Sequence, residues 1–356
     1  MSKRHVLQIV QHLRPGGIET MALDFLTHAS PETEVYILSL EGTREDSLAT
    51  WSRLNDVSER LLFLEKGRGF SARAIFRMTS LMKRLKIDVV HTHHIGPLLY
   101  GGLAGRLAGV KTIIHTEHDA WHLINKKRRR LQAGLNQVVR PIFVADADLV
   151  AQALAQAIPT ITPIVIHNGI DTEKFSPGEK TKARKVLGLP FNAQIIGCAA
   201  RLEAVKGHTY LIDALTQLPS NVHLALAGNG SLETQLKAEA FTKGLKDRVH
   251  FLGAVDDMVS FHQAQDVFCL ASEKEGLPLS PLEAQAADSR VVLTDVGGCR
   301  EALCPDTGIL VEAQSSHGIS QGLANALATT NKGSPRGFVC KHRNLTETIS
   351  AYEALH

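Results

Sequence analysis

Arg201 and Lys206, and further along the stretch Glu275-Gly-Leu-Pro-Leu-Ser-Pro-Leu-Glu283, place two cations and two carboxylates in one half of the chain. A sugar joined to a nucleoside diphosphate suits such a set. The cations can neutralise a departing diphosphate, and the carboxylates can accept hydrogen bonds from hydroxyls of the sugar and of the ribose. Arginine offers a planar bidentate fork and lysine a compact point charge, a combination fitted to a pyrophosphate. Most basic residues are only solvated. Arg201-Leu-Glu-Ala-Val-Lys206-Gly207 directly follows an apolar, strand-like run, however, and that place favours a ligand.

Glu275 falls in a loop after another such run, Val267–Leu270, where a side chain can face a ligand. Glu283 has a structural alternative, because Ser280-Pro281-Leu282-Glu283 reads as a capping box with proline at the first helical position. A helix starting at Ser280 would also aim unpaired amides at an anion. His118, in His115-Thr-Glu-His118-Asp119, ends a strand of the first half and is expected to donate a hydrogen bond to sugar or acceptor. With His91, His93, His94 and His115 it raises a zinc site, which is set aside because alternate strand residues face opposite sides and no cysteine joins them. Asp146-Ala-Asp148 imitates a metal-holding DxD signature, but it reads as the turn into a strand at Leu149–Val150, so no metal is assigned. Gly16 and Gly17 end the first strand, where backbone amides could approach a phosphate or an acceptor; any tight strand-to-helix turn also favours glycine.

The elements that must position these residues follow a rhythm. Short β-branched runs alternate with helix-patterned segments at Val6–Val10, Val35–Leu38, Val89–His91, Thr112–His115, Leu149–Val150 and Ile164–Ile166. The rhythm restarts at Gln194–Cys198 and continues through His223–Ala227, Val249–Leu252, Val267–Leu270 and Val291–Thr294. Such βαβ units make parallel sheets. Two doubly wound α/β domains facing a central cleft are therefore expected, with ligands beyond the carboxyl ends of the strands and His118 on the wall opposite the cations. The boundaries read as a first domain over 1–166, a hinge over 167–178 around Asn168-Gly169 and Pro177-Gly178, and a second domain over 179–340. A last helix over 341–356, with Leu345, Ile349, Tyr352 and Leu355 on one face, is expected to pack back on the first domain.

Composition agrees. The 356 residues exceed what one core usually supports. With 44% hydrophobic and 21% charged residues the chain is neither disordered nor fibrous, and a net charge of +3 gives no reason to expect a nucleic-acid partner. Its five cysteines form no CxxC pair, so reduced thiols in the cytoplasm are expected. The N-terminal apolar run is too short for a signal peptide, and no run of roughly 18 apolar residues predicts a membrane span. The densest charge cluster, Lys126, Lys127, Arg128, Arg129 and Arg130, precedes Leu131, Leu135, Val138, Val139 and Ile142 at mixed helical spacings, with Trp121 nearby. A solvated helix face is the ordinary fate of such a run, and peripheral contact with an anionic membrane, at the inner face of the cytoplasmic membrane, is the alternative followed here.

With these residues in place the chain resembles, over nearly its whole length, the retaining GT-B glycosyltransferases of family 4, many of which build bacterial lipopolysaccharide, capsule and exopolysaccharide. The landmarks are Gly16-Gly17, His118 with Asp119, Asn168-Gly169-Ile170-Asp171, Arg201 with Lys206-Gly207, Gly228-Asn-Gly230, and Glu275 through Glu283. The resemblance implies a GT-B fold and a catalytic group of His118, Arg201, Lys206 and Glu275. It implies a donor site of Gly17, Arg201, Lys206, Glu275, Gly276, Leu277, Leu279, Ser280 and Glu283, with Glu283 on the ribose, Glu275 on the transferred sugar and His118 near the reacting carbon. Gly16, Gly17 and Asp119 would lie on the acceptor side. It further implies no cofactor, no essential metal, and front-face substitution in which a leaving diphosphate oxygen takes the acceptor's proton. The expected reaction moves a hexose or N-acetylhexosamine from a nucleotide sugar, UDP-linked by family habit, to a lipid-linked or nascent glycan. One departure is Asp288-Ser-Arg290, where the family commonly turns with Gly-x-Pro; it lies behind the site. A nucleotide-sugar epimerase of the same architecture and a non-catalytic nucleotide-sugar-binding protein are the competing readings.

Overall fold

A computed structural model describes residues 3–329 and 333–356. Residues 1 and 2, at the start of the N-terminal run weighed above, and 330–332, within the expected 179–340 domain, lie outside the described residues. The chain forms two compact units, residues 1–168 with 346–356, and residues 169–345.

The first unit carries a parallel sheet of β1 (Arg4–Val10), β2 (Thr33–Ser39), β3 (Leu61–Phe63), β4 (Val89–His93), β5 (Thr112–Glu117), β6 (Ile142–Ala145) and β7 (Ile164–Val165), in the order β3-β2-β1-β4-β5-β6-β7. Helices cover the sheet, so its central strands are buried on both faces and read as near-continuous apolar runs; β1 is buried from Val6 to Val10. The order reverses direction between β1 and β4. Loops leaving these two neighbours diverge to opposite faces, which opens a crevice at their carboxyl ends.

The second unit repeats the plan with β8 (Gln194–Ala199), β9 (Val222–Ala227), β10 (Val249–Gly253), β11 (Val267–Leu270), β12 (Arg290–Thr294) and β13 (Ile309–Val311), in the order β10-β9-β8-β11-β12-β13. Its reversal lies between β8 and β11. The core here is dominated by small and β-branched residues, among them Ile195, Ile196, Ala225, Val267, Val291 and Val292.

The helix Leu345–Glu353 carries the chain back into the first unit, where Tyr352, 1% exposed, packs edge-on against Phe25 at 5.0 Å and bonds Thr116 through its hydroxyl at 2.9 Å. One expected strand is absent. Leu149–Val150 lies inside the helix Asp148–Ala157, and the strand of that region is β6, just before Asp146. The apolar pair at Leu149 and Val150 begins a helical spacing that continues to the buried Leu154, and Ile142, placed above on the basic helix, opens β6 instead.

Candidate functional site

In the second unit, Arg201 and Lys206 leave β8 and Glu275 leaves β11, so all three stand at the carboxyl ends of the two strands that flank the reversal. Arg201 is exposed. Lys206 ends the short turn Ala204–Lys206, and its Nζ donates to Glu275 Oε1 at 2.6 Å. The Ser272 hydroxyl donates to the same oxygen at 2.6 Å. Glu275 is only 8% exposed, so its carboxylate depends on these two donors. Glycines make this packing possible. Gly207 has φ +66°, and a Cβ there would lie 2.0 Å from the Ala271 carbonyl; Gly297 has φ +51°, and a Cβ there would lie 1.7 Å from the Glu275 carbonyl. The Gly298 N–H then donates to the Gly276 carbonyl at 2.9 Å, clamping the loop that carries Glu275.

The capping box expected at Ser280 does not form. The helix spans Leu279–Ala286 and begins after Pro278, which makes no side-chain cap. Pro281 therefore sits at the third helical position, where its missing N–H is again one of the four that a helix start leaves unpaired. Glu283 is thus free of the capping role, and its Oε2 lies 3.2 Å from His262 Nε2. Leu277 is buried, while Leu279 and Ser280 are half-buried in the opening turn. The thiol of Cys198, near the end of β8, is pushed up to about 12 by burial, so Cys198 stays a neutral thiol rather than a thiolate nucleophile.

In the first unit, Gly16 caps and Gly17 opens the helix Gly17–His28 after β1. His118 directly follows β5 and is 7% exposed, with both ring nitrogens occupied: Nδ1 lies 3.0 Å from Asp146 Oδ2, and Nε2 lies 3.0 Å from His93 Nδ1. His93 Nε2 in turn meets Gln8 Oε1 at 2.7 Å, and Asn168 Nδ2 donates to Asp146 Oδ2 at 3.1 Å. The line Gln8, His93, His118, Asp146, Asn168 draws one buried residue from each of β1, β4, the ends of β5 and β6, and the segment after β7.

The protons in this line can be counted. Burial holds His93 well below the ordinary imidazole range, so it is neutral. Its Nε2–H donates to Gln8, which leaves Nδ1 to accept from His118 Nε2–H. One proton then remains for His118 Nδ1 and Asp146 Oδ2 to share, and that pair has no net charge. Burial raises the Asp146 carboxyl, against the opposing pull of His118 and Asn168.

His94, which directly follows β4, has φ +71° and ψ 159°, a region left almost entirely to glycine. Its ring meets that of His118 edge-on at 6.0 Å, and burial followed by the His118 charge lowers its pKa to about 4. Asp119 accepts from His122 Nδ1 at 3.2 Å, and His122 Nε2 meets Gln132 Oε1 at 2.9 Å. Two acceptors require both ring nitrogens protonated. Burial alone would lower the His122 pKa, but the Asp119 bond and the Glu117 charge raise it to about 9.

The basic run occupies the start of the helix Lys126–Val139, capped by Asn125 Oδ1, which accepts from the Lys127 N–H at 2.9 Å. Lys126, Lys127, Arg128 and Arg130 are exposed and Arg129 is half-buried. Trp121, Ile124, Leu131 and Val138 are exposed apolar neighbours in sequence, whereas Leu135 and Val139 are buried. No helix among the described residues is long and apolar enough to cross a membrane.

Each unit therefore gathers its own share of the expected residues: Gly16, Gly17, His118 and Asp119 in the first, and Arg201, Lys206, Glu275 through Ser280 and Glu283 in the second. In the sequence, Gln8, Ser272, His262 and Gly297 go unmarked, Asn168 reads only as a hinge and family landmark, Asp146 as a turn, and His93 only as a rejected metal ligand. Asp146 directly follows β6 and Gly297-Gly298 lie in the loop after β12, the one signal that could have marked them.

Two doubly wound parallel sheets with polar residues at each reversal define an α/β protein of the GT-B class. The chain belongs to the family 4, or group 1, glycosyltransferases: residues 15–174 match the family model Glycosyltransferase Family 4, and residues 179–335 match Glycosyl transferases group 1. It is similar to the UDP-Gal:alpha-D-GlcNAc-diphosphoundecaprenol alpha-1,3-galactosyltransferase of Escherichia coli, 30% identical over 64% of this chain and 62% of that one, so it spans less than two thirds of that relative. It is also similar to a GDP-mannose-dependent monoacylated phosphatidylinositol monomannoside mannosyltransferase of Corynebacterium glutamicum, 26% identical over 88% of this chain and 86% of that one. Among solved structures, Anabaena HepE in complex with UDP and glucose superposes with a TM-score of 0.85 at 20% identity, covering 99% of each chain, a likeness of fold.

Proposed function

We propose that this protein is a retaining glycosyltransferase that moves a hexose or N-acetylhexosamine from a UDP-sugar to a lipid-linked or nascent glycan in bacterial surface polysaccharide synthesis. The observation that carries the reading is that Arg201 and the 2.6 Å Lys206–Glu275 pair all lie in the loops after β8 and β11, the strands that flank the reversal. A diphosphate arriving there meets two cations at a sheet reversal, where α/β folds bind ligands. The relatives named above act on lipid-linked acceptors, one with a UDP-sugar and one with a GDP-sugar, and the UDP choice follows the first.

In the proposed reaction, Arg201 and Lys206 hold the diphosphate, Glu275 and the backbone from Gly276 to Ser280 hold the sugar, and Glu283 takes the ribose hydroxyls. The bond from the anomeric carbon to the diphosphate oxygen breaks, and an acceptor hydroxyl forms the new bond on the same face. Its proton passes to the leaving oxygen. Charge grows on the diphosphate as the bond opens, so the two cations stabilise the transition state more than the ground state, and no metal is required for that. His118, whose two ring nitrogens are taken by His93 and Asp146 and so are not free to donate to a sugar, serves the transferred sugar by shaping its side of the site, and Gly16, Gly17 and Asp119 serve the acceptor. The basic helix start and its exposed apolar neighbours bind the anionic face of the cytoplasmic membrane, where a lipid-linked acceptor resides.

Thermal-shift titration with UDP, GDP and their sugars tests the donor, since a ligand that binds only the folded state raises the unfolding temperature. UDP and UDP-sugars are expected to stabilise the protein, and product to form only when a polyprenyl-diphosphate-linked sugar is added. Conversion of donor alone into its epimer, or no stabilisation by any nucleotide, overturns the reading.

A further inference from the structure

We propose that His262 is a positioning residue for the donor: its buried Nε2–H orients the Glu283 carboxylate that meets the ribose. The inference rests on the proposed role of Glu283 and adds to it a residue that never touches the ligand. His262 lies in the helix Met258–Ala264, is fully buried, and is enclosed by Phe175, Phe261 and Phe268, with ring centroids 5.9, 5.3 and 5.7 Å away. Its Nε2 is 3.2 Å from Glu283 Oε2, and its Nδ1 is 3.2 Å from Gln265 Nε2. An amide nitrogen can only donate, so Nδ1 accepts and the ring proton sits on Nε2. That N–H is directed at Glu283.

Gln265 is itself fixed. It is 3% exposed and pressed against Gly197 in β8, where a Cβ would lie 1.8 Å from its Oε1. A central strand thus holds an amide, the amide sets the imidazole tautomer, and the imidazole holds a carboxylate that is 12% exposed. A histidine placed only to fill the core would leave its tautomer and its one donor unassigned. A carboxylate that must accept from two vicinal hydroxyls needs a fixed plane, and a neutral N–H supplies one without neutralising the charge.

The test compares affinities for UDP and 2′-deoxy-UDP by calorimetry in wild type, Glu283→Ala, His262→Phe and His262→Gln. Wild type is expected to prefer UDP. His262→Phe should weaken UDP about tenfold, the scale of a lost hydrogen bond to a charged group, and weaken 2′-deoxy-UDP, which keeps only the 3′-hydroxyl, clearly less. The donor KM should rise with kcat little altered, and His262→Gln, which keeps an N–H, should recover most of the preference. Should the phenylalanine variant fail to fold, His262→Leu carries the same comparison. If Glu283→Ala abolishes the preference while His262→Phe retains it, the positioning role is overturned. If Glu283→Ala also retains it, the ribose role of Glu283 falls and this inference with it. An equal loss for both nucleotides in the His262 variants marks a purely structural residue and also overturns the proposal.

Discussion

His118 and Asp146, joined at 3.0 Å from Nδ1 to Oδ2 and both almost wholly buried, share a single proton. The other His118 nitrogen is committed to the neutral His93, so the ring cannot turn without breaking two buried bonds at once. Asp146→Asn removes the shared proton's alternative seat and reverses the polarity of the bond. Turnover is expected to fall about ten- to a hundredfold, in line with roughly 1.5–3 kcal/mol for a hydrogen bond to a charged group, while the donor Kd, which the proposed reaction assigns to residues of the second unit, should stay within about twofold. Steady-state kinetics with nucleotide calorimetry check this, and unchanged turnover would reduce the pair to a structural bond.

Lys206 is bonded to Glu275 and, in the proposed reaction, also holds the diphosphate, so mutation will mix the two. Lys206→Ala would remove the proposed phosphate cation and also strip a nearly buried carboxylate of one of its two donors. Loss of activity is expected together with about 3 kcal/mol of stability, the usual scale for breaking a buried ion pair from one side. The double variant Lys206→Met with Glu275→Gln should regain much of the stability and none of the activity. Arg201→Ala, at an exposed position, should lower turnover more than tenfold with little change in unfolding temperature. If stability and activity are both regained in the double variant, the cation has no role with the donor.

At His94 the backbone adopts a conformation that costs of order 1–3 kcal/mol for a side-chain-bearing residue. His94→Gly relieves it. The expected result is a gain of about 1 kcal/mol in unfolding free energy, after the greater freedom of glycine in the unfolded chain is counted. His94→Ala keeps the strained backbone and should give no gain. If both variants lose activity although one is more stable, the imidazole and not the backbone is what the site requires. Urea unfolding of the three proteins, alongside turnover, separates these outcomes.

Legibility in the sequence followed the physics of each element. Arg201, Lys206 and Glu275 could be read because each lies in the loop after a strand-like apolar run, and the carboxyl ends of parallel strands are where such residues meet ligands. The helix that carries Glu283 starts at Leu279, one residue before the start expected at Ser280, because proline is as acceptable at its third position as at its first. Strand β6 was displaced onto Leu149–Val150, and with it Asp146 lost its place at a strand end. The pairings of His118 with Asp146 and of His262 with Glu283 join separate elements, and no local pattern announces a bond of that kind. Strands β3 and β13, three residues each, are too short for alternation to show.

The five cations at the start of the helix Lys126–Val139 oppose the helix dipole, which favours acidic residues there. An anionic surface would turn that arrangement from unfavourable to favourable. Binding to vesicles containing phosphatidylglycerol is expected, and binding to neutral phosphatidylcholine vesicles is not. Each Lys or Arg changed to Gln should weaken partitioning roughly fivefold, from about 1 kcal/mol per cation near an anionic surface. Trp121→Ala should weaken it at high salt as well, since an apolar anchor is not screened. Sedimentation with vesicles reads both, and equal recovery with neutral lipid would remove the membrane from the proposal.

Stability of the first unit should peak near pH 6.5. His122 has its pKa raised to about 9, so its contribution is complete below the unfolded value of 6.5 and is lost as pH climbs through 9. His91 and His93 have theirs lowered well below 6.5 by burial, and His94 to about 4, so they favour the folded state above 6.5 and cease to do so as pH falls toward 4. Asp146, raised by burial, offsets part of the acid loss because its neutral form is preferred in the fold. Denaturant midpoints measured from pH 4 to 10 should fall on both sides of the maximum. His122→Asn should flatten the alkaline limb between 6.5 and 9 and leave the acid limb in place, whereas an unchanged alkaline limb would mean that His122 is not charged between Asp119 and Gln132.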